Sequence, residues 1–274
     1  MNKVWFITGA ARGIGRAIAE TALQNGDKVA FVYRQNIKPV ADTFKNNIIY
    51  IKLNITDLNE NSYNSAINKV IEKFGKIDYL VNNAGRGRIT NFEETGEENI
   101  RELFEVNLFG MMRVTRAVLP IMRKQRSGHI FNISSGSSYC GGPAAYHTSK
   151  FAVTGFSASL AFELKPFGIN VTNVVPGLIR TDFYAKDNLA VQPDTPIEDY
   201  DSNRWQTEFI KHNSNREQKG DPYKVAEIIY KAAYCAAPPL HLPVSADVIE
   251  VMEEWQKKMK HDLDVWKNKA IENK

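Results

Sequence analysis

The stretch Thr8-Gly9-Ala10-Ala11-Arg12-Gly13-Ile14-Gly15 connects a short apolar run at residues 4–7 to a helical pattern at residues 14–23. Glycines at such a junction allow a tight turn and let a ligand approach the backbone closely. The first turn of a helix also presents unpaired N–H groups and the positive end of the helix dipole. The segment therefore predicts a strand, a turn that can bind a pyrophosphate, and a helix.

Strand and helix patterns continue to alternate along the chain as far as residue 175. Apolar runs predict strands at residues 29–33, 48–53, 79–81, 130–133 and 169–175. Helical patterns lie between them, and Thr95-Gly96-Glu97-Glu98 predicts a capping box for a helical region that runs, with one break, to about Arg123. This alternation predicts a single Rossmann-type α/β domain, residues 1–274, with a doubly wound parallel sheet of about seven strands and helices on both faces.

The last part of the chain combines an irregular region with a long helix. Residues 181–220 are rich in Asp, Asn, Pro and Gln, which predicts a substrate lid or, alternatively, a plain surface excursion. Asp221-Pro222 predicts a helix to about Cys235, and residues 240–244 predict an edge strand. A C-terminal helical extension, residues 247–274, has apolar residues at three- and four-residue steps, namely Met252, Trp255, Met259, Leu263 and Trp266. We expect this face to pack on the chain's own body, with a subunit contact as the alternative.

Composition excludes several classes of protein. The chain has 274 residues, 43% hydrophobic and 24% charged, as in an ordinary globular protein with a sizeable core. A net charge of +4 without a long Lys/Arg block argues against a nucleic-acid partner. Cys140 and Cys235 form neither a disulfide framework nor a metal-ligand cluster, so no metal is expected. A strand that begins at Val4 leaves no room for a signal peptide and no apolar run is long enough to span a membrane, which predicts a cytoplasmic protein.

A second motif, Tyr146-His147-Thr148-Ser149-Lys150, lies in the opening turns of a predicted helix. Residues at i and i+4 share one face of a helix, so the phenol and the ammonium are neighbours. A free tyrosine has a pKa of roughly 10, and a nearby cation favours the phenolate. The pair therefore suits an acid or base that exchanges a proton with an oxygen atom, whereas His147 points elsewhere and is expected to be structural.

Two arginines indicate which dinucleotide the glycine turn would bind. An acidic residue at the end of the second strand would bind a ribose 2′-hydroxyl and repel a 2′-phosphate. Here Tyr33 and Arg34 end that strand, and Arg12 lies in the glycine turn. Both arginines favour NADP(H).

With these two motifs together, the chain resembles the short-chain dehydrogenase/reductase family. Four other segments match the family in order and spacing, namely Asn82-Asn83-Ala84-Gly85, Val106-Asn107-Leu108-Phe109-Gly110, Asn132-Ile133-Ser134-Ser135 and Pro176-Gly177-Leu178-Ile179-Arg180-Thr181. Two departures occur. Asn54 stands where the family usually has an adenine-binding aspartate, and the segment before Tyr146 is shorter than usual, which leaves Ser134 or Ser135 as the catalytic serine. Alignment from the strand favours Ser135.

The resemblance implies catalytic roles for Asn107, Ser135, Tyr146 and Lys150. Cofactor contacts are expected from Gly9, Arg12, Gly13, Ile14, Gly15, Arg34, Asn54, Ile55, Asn83, Ala84, Gly85, Tyr146, Lys150, Pro176, Gly177, Ile179 and Thr181. Tyr139, Phe183, Tyr184 and Trp205 are candidate pocket walls by their position in the sequence.

The expected function is an NADP(H)-dependent oxidoreductase that acts on a small-molecule carbonyl or secondary alcohol. The alternatives are an oxidative alcohol or steroid dehydrogenase, a sugar epimerase or dehydratase, and an NADP(H)-binding sensor without turnover. A complete Ser135, Tyr146 and Lys150 set argues against the sensor. The resemblance also implies a homo-oligomer, a dimer or tetramer, formed through the helices that contain Asn107 and Lys150.

Overall fold

A seven-stranded parallel sheet lies at the centre of the computed structural model, which describes residues 2–35, 37–185, 189–200, 208 and 217–272. Its strands are β1 (Val4–Ile7), β2 (Lys28–Tyr33), β3 (Ile48–Lys52), β4 (Tyr79–Asn82), β6 (Gly128–Ile133), β7 (Ile169–Val175) and β9 (His241–Pro243). Two short strands, β5 (Gly87–Arg88) and β8 (Leu189–Ala190), pair in parallel as a separate small sheet. The predicted doubly wound parallel sheet is confirmed.

Helices cover both faces of the sheet. They are α1 (Gly13–Gln24), α2 (Glu60–Phe74), α3 (Glu97–Phe104), α4 (Met111–Gln125), α5 (Ala144–Leu164), α6 (Pro222–Ala233) and α7 (Ala246–Ile271). A six-residue π segment, Glu105–Gly110, joins α3 to α4 and is the interruption in the helical region that was predicted, without a position, to run to about Arg123. A 3₁₀ segment, Gly136–Tyr139, follows β6.

Alternation along β1 shows how the two cores form. Trp5 and Ile7 belong to the core beneath α1 and α6, whereas Val4 and Phe6 belong to the core beneath α2, α4 and α5. All four side chains are 0–1% exposed. Side chains that alternate along a strand thus fill both layers, as the period of two requires.

The order of the strands locates the point where a ligand can bind. The sheet runs β3-β2-β1-β4-β6-β7-β9, so the chain leaves β1 toward one edge and returns at β4 on its other side. Ligands of open α/β sheets bind beyond the carboxyl ends of the strands at such a reversal. The glycine turn follows β1 and the Asn-Asn-Ala-Gly segment follows β4, so both lie at this point.

One prediction about helices is wrong, and a second holds only in part. Thr95 does not cap α3, because the helix begins one residue later with Gly96 at the N-cap position, and the Thr95 hydroxyl donates to the Asn91 carbonyl at 2.7 Å. The C-terminal helix packs on the body only near its start. Val248 is buried, but Met259, Leu263 and Trp266 are 48%, 61% and 59% exposed. Sequence period identifies an apolar face but does not show what covers it.

Two further observations concern membrane spans and metal sites in the described part of the chain. No helix among the described residues is long and apolar enough to cross a membrane. Within the same ranges, no cluster of His, Cys, Asp and Glu is arranged to hold a metal ion.

Candidate active site

The glycine turn after β1 packs directly on the turn after β4. Gly9 and Gly13 have φ angles of 62° and 56°, a region that favours glycine. A Cβ atom on Gly9 would lie 2.9 Å from the Ala84 Cα atom, and one on Gly15 would lie 2.4 Å from the Asn83 Nδ2 atom. The spacing of the glycines is therefore a requirement of the close packing between the two turns.

Hydrogen bonds hold these two turns together. The Thr8 hydroxyl accepts from the Asn83 and Ala84 N–H groups at 3.0 and 3.1 Å. The Asn83 side-chain amide donates to the carbonyls of Thr8 and Gly9 at 3.0 and 3.1 Å. Helix α1 begins after Arg12 without a side-chain cap, so its N-terminus can receive an anion. A narrow cradle of backbone at a helix N-terminus fits the pyrophosphate of a dinucleotide.

The predicted adenosine end of the site has a cavity of about 630 Å³, lined by Tyr33, Arg34, Gln35, Ile37 and Lys52. Lys52 lies opposite Tyr33 in the register of β2 and β3, and sequence reasoning missed it. A lysine at the carboxyl end of the third strand is the signal that could have identified it. Arg12 is exposed in the glycine turn.

Asn54 and Ile55 follow β3, as predicted, but they do not line this cavity. The side-chain Oδ1 atom of Asn54 accepts from the Thr56 N–H and hydroxyl at 3.3 and 3.0 Å. Ile55 is buried, and its carbonyl accepts from the Tyr63 hydroxyl at 2.8 Å. Asn54 therefore organises its own turn, and its side chain is exposed beside the glycine-turn edge of the sheet.

The 176–181 turn faces the glycine turn from the other side. A Cβ atom on Gly13 would lie 3.3 Å from the Thr181 side chain, and Ile179 is buried beside Gly220. The Thr181 hydroxyl accepts from the Phe183 N–H at 3.3 Å. The structure thus brings together the glycine turn and the Pro-Gly turn that the sequence predicted for one cofactor site.

Ser135, Tyr146 and Lys150 meet where β6 ends and α5 begins. Tyr146 and Lys150 are 8% and 6% exposed, and the Lys150 Nζ atom donates to the Ile133 carbonyl at 3.1 Å. The Ser134 hydroxyl lies within 3.1 Å of the Lys150 carbonyl and the Thr154 hydroxyl, which gives it a structural environment. Ser135, by contrast, lies close enough to the Tyr146 phenol to act on its pKa, and its hydroxyl accepts from the Ser137 N–H at 3.1 Å. Geometry therefore favours Ser135 over Ser134 as the serine of the site.

Burial controls the protonation of the two buried groups. It raises the pKa of Tyr146 to about 12, and the hydrogen bond with Ser135 acts in the opposite direction without outweighing it. Burial also lowers the pKa of Lys150 to about 8. The expected lowering of the tyrosine pKa by Lys150 is not seen in the protein alone, so that role of the lysine stays a prediction.

Asn107 lies in the π segment and is 3% exposed. Its Oδ1 atom accepts from the Arg86 N–H at 2.9 Å, while its Nδ2 atom donates to the Ser149 hydroxyl at 3.0 Å. A Cβ atom on Gly85 would lie 3.3 Å from Asn107 Oδ1 and 3.5 Å from Lys150 Nζ. Asn107 thus connects the turn after β4 with α5, and π segments frequently occur at functional sites.

In the described part of the predicted lid, Phe183 packs against Tyr146. The Phe183 ring lies 6.2 Å from that of Tyr146 and 5.3 Å from that of Tyr184. Tyr139 packs instead against Trp255 of α7, at 6.4 Å. Trp205 lies outside the described residues. A cavity of about 410 Å³ opens beside the start of α5, lined by Asn91, Phe92, Gly142, Pro143, Ala144 and Tyr200.

An ion pair that the sequence did not reveal fixes the segment after β8. Asp194 pairs with Arg88 of β5 and accepts from the Gly96 N–H at 2.7 Å. The fully buried Glu94 accepts from the Ile197 N–H at 3.0 Å. Residues separated by about a hundred positions make these contacts, so no local pattern could identify them.

Comparison with known proteins agrees with this geometry. A family model described as short chain dehydrogenase matches residues 3–192. The chain is 38% identical to Oxidoreductase BOA17 of Botryotinia fuckeliana over 255 residues, which cover 91% of each chain.

Solved structures give the same result. A short-chain dehydrogenase from Streptomyces avermitilis matches with a TM-score of 0.88 and 33% identity, with 100% of both chains covered. ElxO with NADP bound matches with a TM-score of 0.73 and 28% identity, over 91% of this chain and 100% of that one. A 3-ketoacyl-(acyl-carrier-protein) reductase from Brucella melitensis complexed with NADH matches with a TM-score of 0.70 and 25% identity, over 88% and 96% of the two chains. The family model, the relative and the solved structures agree, and the chain belongs to the short-chain dehydrogenase family.

Proposed function

We propose that this oxidoreductase is an NADP(H)-dependent carbonyl reductase that also works in reverse as an alcohol dehydrogenase. The observation that carries the proposal is the meeting of Ser135, Tyr146 and Lys150 at the carboxyl edge of the sheet. A glycine cradle that fits a pyrophosphate lies at the same edge, after β1. A proton donor and a dinucleotide site at one edge of a sheet suit the exchange of a hydride and a proton with one substrate.

The chain's own residues handle the substrate oxygen. Nicotinamide, when bound, supplies or accepts the hydride. The Ser135 hydroxyl donates a hydrogen bond to the substrate oxygen, and the Tyr146 phenol gives its proton to that oxygen or takes one back. The Lys150 ammonium favours the phenolate and holds the ribose hydroxyls, while Asn107 keeps α5 and the β4 turn in place and connects the lysine to solvent.

Positive charge at the adenosine end supports the choice of NADP(H). Arg34 and Lys52 line one cavity, and Arg12 lies in the neighbouring turn. Three cations suit a 2′-phosphate, which carries up to two negative charges. Relatives of similar structure hold NADP in one case and NADH in another, so these residues carry the argument.

The class of substrate is inferred from exposed and half-exposed apolar groups beside α5. Phe92, Tyr200 and Pro143 line the cavity beside α5, which suits a carbonyl compound with an apolar or bulky body.

The helices that contain Asn107 and Lys150 carry exposed phenylalanines, namely Phe109, Phe151 and Phe162, which are 47%, 50% and 83% exposed. These phenylalanines support a homo-oligomer formed through that face.

The test is cofactor oxidation, followed by absorbance, with NADPH and NADH offered in parallel against aldehydes, ketones, quinones and steroids. We expect turnover with NADPH well above that with NADH, and the reverse reaction with the matching alcohols. Preference for NADH would overturn the choice of cofactor and leave the chemistry intact. Tight NADPH binding with no turnover across the panel would favour the sensor alternative.

Tyr146→Phe tests the proton donor directly. The variant removes one hydroxyl from a buried ring, so we expect turnover to fall by about 10²–10⁴-fold, the usual contribution of a general acid. NADPH should still bind, as a fluorescence titration would show. Tyr223→Phe, which removes an exposed hydroxyl on α6, is the matched control and should retain full activity. Retained turnover in Tyr146→Phe would refute the assignment.

A further inference from the structure

The side chain of Ser245, the N-cap residue of α7, hydrogen-bonds the 176–181 turn, here called the cofactor turn. Its hydroxyl accepts from the Gly177 N–H at 3.0 Å, and it makes no capping hydrogen bond within its own helix. A serine at this position ordinarily accepts from the N–H groups that the helix leaves unpaired. The side chain that would stabilise the helix therefore stabilises the 176–181 turn instead.

Asp247, in the first turn of the same helix, contacts the next peptide group. Its Oδ2 atom accepts from the Leu178 N–H at 2.8 Å. A Cβ atom on Gly177 would lie 2.1 Å from the same oxygen, so the carboxylate lies directly against the glycine. Asp247 is also the acidic residue in the first turn of α7, where the helix dipole favours a negative group.

Val248 extends this contact to the other side of the site. It is 1% exposed, and a Cβ atom on Gly136 would lie 2.9 Å from its Cγ2 atom. Gly136 follows Ser135 directly, so one helical turn touches both the cofactor turn and the serine loop.

Tyr184 responds to both Asp247 and Tyr146. Burial raises the pKa of Tyr184, and the Tyr146 and Asp247 groups raise it further.

We propose that the first turn of α7 is a positioning element for the nicotinamide end of the site. Ser245 and Asp247 hold the peptide groups of Gly177 and Leu178, and Val248 holds the loop of Ser135, in the relative positions that the reaction needs. Asp247 acts through Leu178 and is a positioning residue. The inference rests on the proposed function, because it assumes that a nicotinamide dinucleotide binds here.

Three variants and two ligands test the role of Asp247. The ligands are NADPH, followed by its fluorescence, and adenosine 2′,5′-bisphosphate, which lacks the nicotinamide half and is followed by calorimetry. Asp247→Ala should weaken NADPH binding about tenfold, the effect of losing one charge-assisted hydrogen bond. Binding of the bisphosphate should change less than about twofold, because its site lies at Arg34.

Two variants serve as controls for that measurement. Asp247→Asn keeps an oxygen that can accept from Leu178 and should restore NADPH binding close to that of the native protein. Glu250→Ala removes an exposed carboxylate three residues further along α7 and should leave both affinities unchanged. Equal weakening of both ligands in Asp247→Ala, or no weakening of either, would overturn the proposal.

Hydrogen–deuterium exchange without cofactor separates this proposal from the proposed function. Peptides that cover residues 176–182 should exchange faster in Asp247→Ala than in the native protein or in Glu250→Ala, because the Leu178 N–H loses its acceptor. Unchanged exchange would overturn the positioning role. A native protein that binds no NADPH would refute the proposed function, and the exchange measurement would still decide whether α7 holds this turn.

Discussion

Removing the Asp194 carboxylate should destabilise the contact between the segment after β8 and the wall of the active site. Asp194 pairs with Arg88 and accepts from the Gly96 N–H at 2.7 Å and the Asn99 amide at 2.9 Å. The Arg88 side chain is 8% exposed, whereas that of Asp194 is 29% exposed. Asp194→Ala therefore leaves a nearly buried guanidinium without its carboxylate, with the Gln192 carbonyl at 3.4 Å as an acceptor.

The expected loss in the free energy of unfolding follows from these exposures. Breaking a fully buried ion pair costs about 3–5 kcal/mol, and an exposed pair contributes about 0–1 kcal/mol. Because water reaches Asp194 more easily than Arg88, about 2 kcal/mol is the appropriate value for this pair. Loss of the acceptor at the start of α3 adds about 1 kcal/mol. A total of about 3 kcal/mol lowers Tm by roughly 6–12 °C in a protein of this size.

Urea unfolding followed by circular dichroism measures this loss, and the Arg88→Met background identifies its source. In that background no buried guanidinium is left unpaired, so Asp194→Ala should cost only about 1 kcal/mol. Asp199→Ala, at an exposed position in the same segment, should change stability by less than about 0.5 kcal/mol. Equal losses in both backgrounds, or a loss below about 1 kcal/mol in the native background, would refute the reasoning.

Acidification gives an independent check on the same carboxylate. Burial favours a higher pKa for Asp194, but hydrogen bonds from Gly96 and Asn99, together with the Arg88 charge, outweigh it and lower the pKa. A lowered carboxyl pKa gives stability that is present above the ordinary value and lost as the pH falls through the lowered one. The advantage of the native protein over Asp194→Ala should therefore persist to about pH 4 and then shrink.

Three further substitutions test the site. Lys150→Met should abolish turnover yet stabilise the protein below pH 8 by up to about 3 kcal/mol, because burial lowers the lysine pKa to about 8. Urea unfolding should show that this gain in stability shrinks toward about pH 10.5. A gain that does not depend on pH would contradict this account. Gly9→Ala should weaken dinucleotide binding and lower stability more than the control Gly26→Ala. Both glycines have positive φ, but no atom lies within 4 Å of a Cβ on Gly26. Equal losses of stability in the two variants would show that the clash of the new Cβ with the β4 turn contributes nothing. Arg34→Ala should weaken NADPH binding by about tenfold or more and leave NADH binding unchanged, and a parallel loss of both affinities, measured by fluorescence, would show that Arg34 does not contact the 2′-phosphate.

The glycine turn, the strands and Tyr146–Lys150 could be predicted because local patterns determine them. The stretch Thr8-Gly9-Ala10-Ala11-Arg12-Gly13-Ile14-Gly15 needs small residues wherever the β4 turn approaches, and the need is visible as glycine. Strand β7, Ile169–Val175, occupies the predicted residues because its β-branched residues lie between Gly168 and Pro176 at the place where the alternation of strands and helices requires a strand. The i, i+4 geometry of an α-helix brings Tyr146 and Lys150 to one face without any knowledge of the tertiary fold.

Contacts between distant residues could not be predicted in this way. Lys52 joins Arg34 only because β3 pairs with β2, and Asp194 reaches Gly96 only because β8 pairs with β5. The capping prediction for Thr95 was wrong because α3 begins one residue later, with Gly96 at the N-cap, and Thr95 directs its hydroxyl to the Asn91 carbonyl. For Trp266 the pattern identified an apolar side correctly, but the side is exposed, since packing depends on what lies opposite.

The π segment Glu105–Gly110 interrupts the regular α-helical repeat between α3 and α4, so side chains before and after it point in different directions around the helix. A π turn holds one residue more than an α turn, which rotates everything beyond it by about 100°. This offset lets Asn107 face Ser149 while Val114 and Met122 of α4 face the sheet. Deletion of a single residue here would restore a regular α-helix and rotate the side that carries Asn107 relative to the side that carries Val114 and Met122. Deletions in this short stretch should therefore be tolerated less well than substitutions at most of its positions.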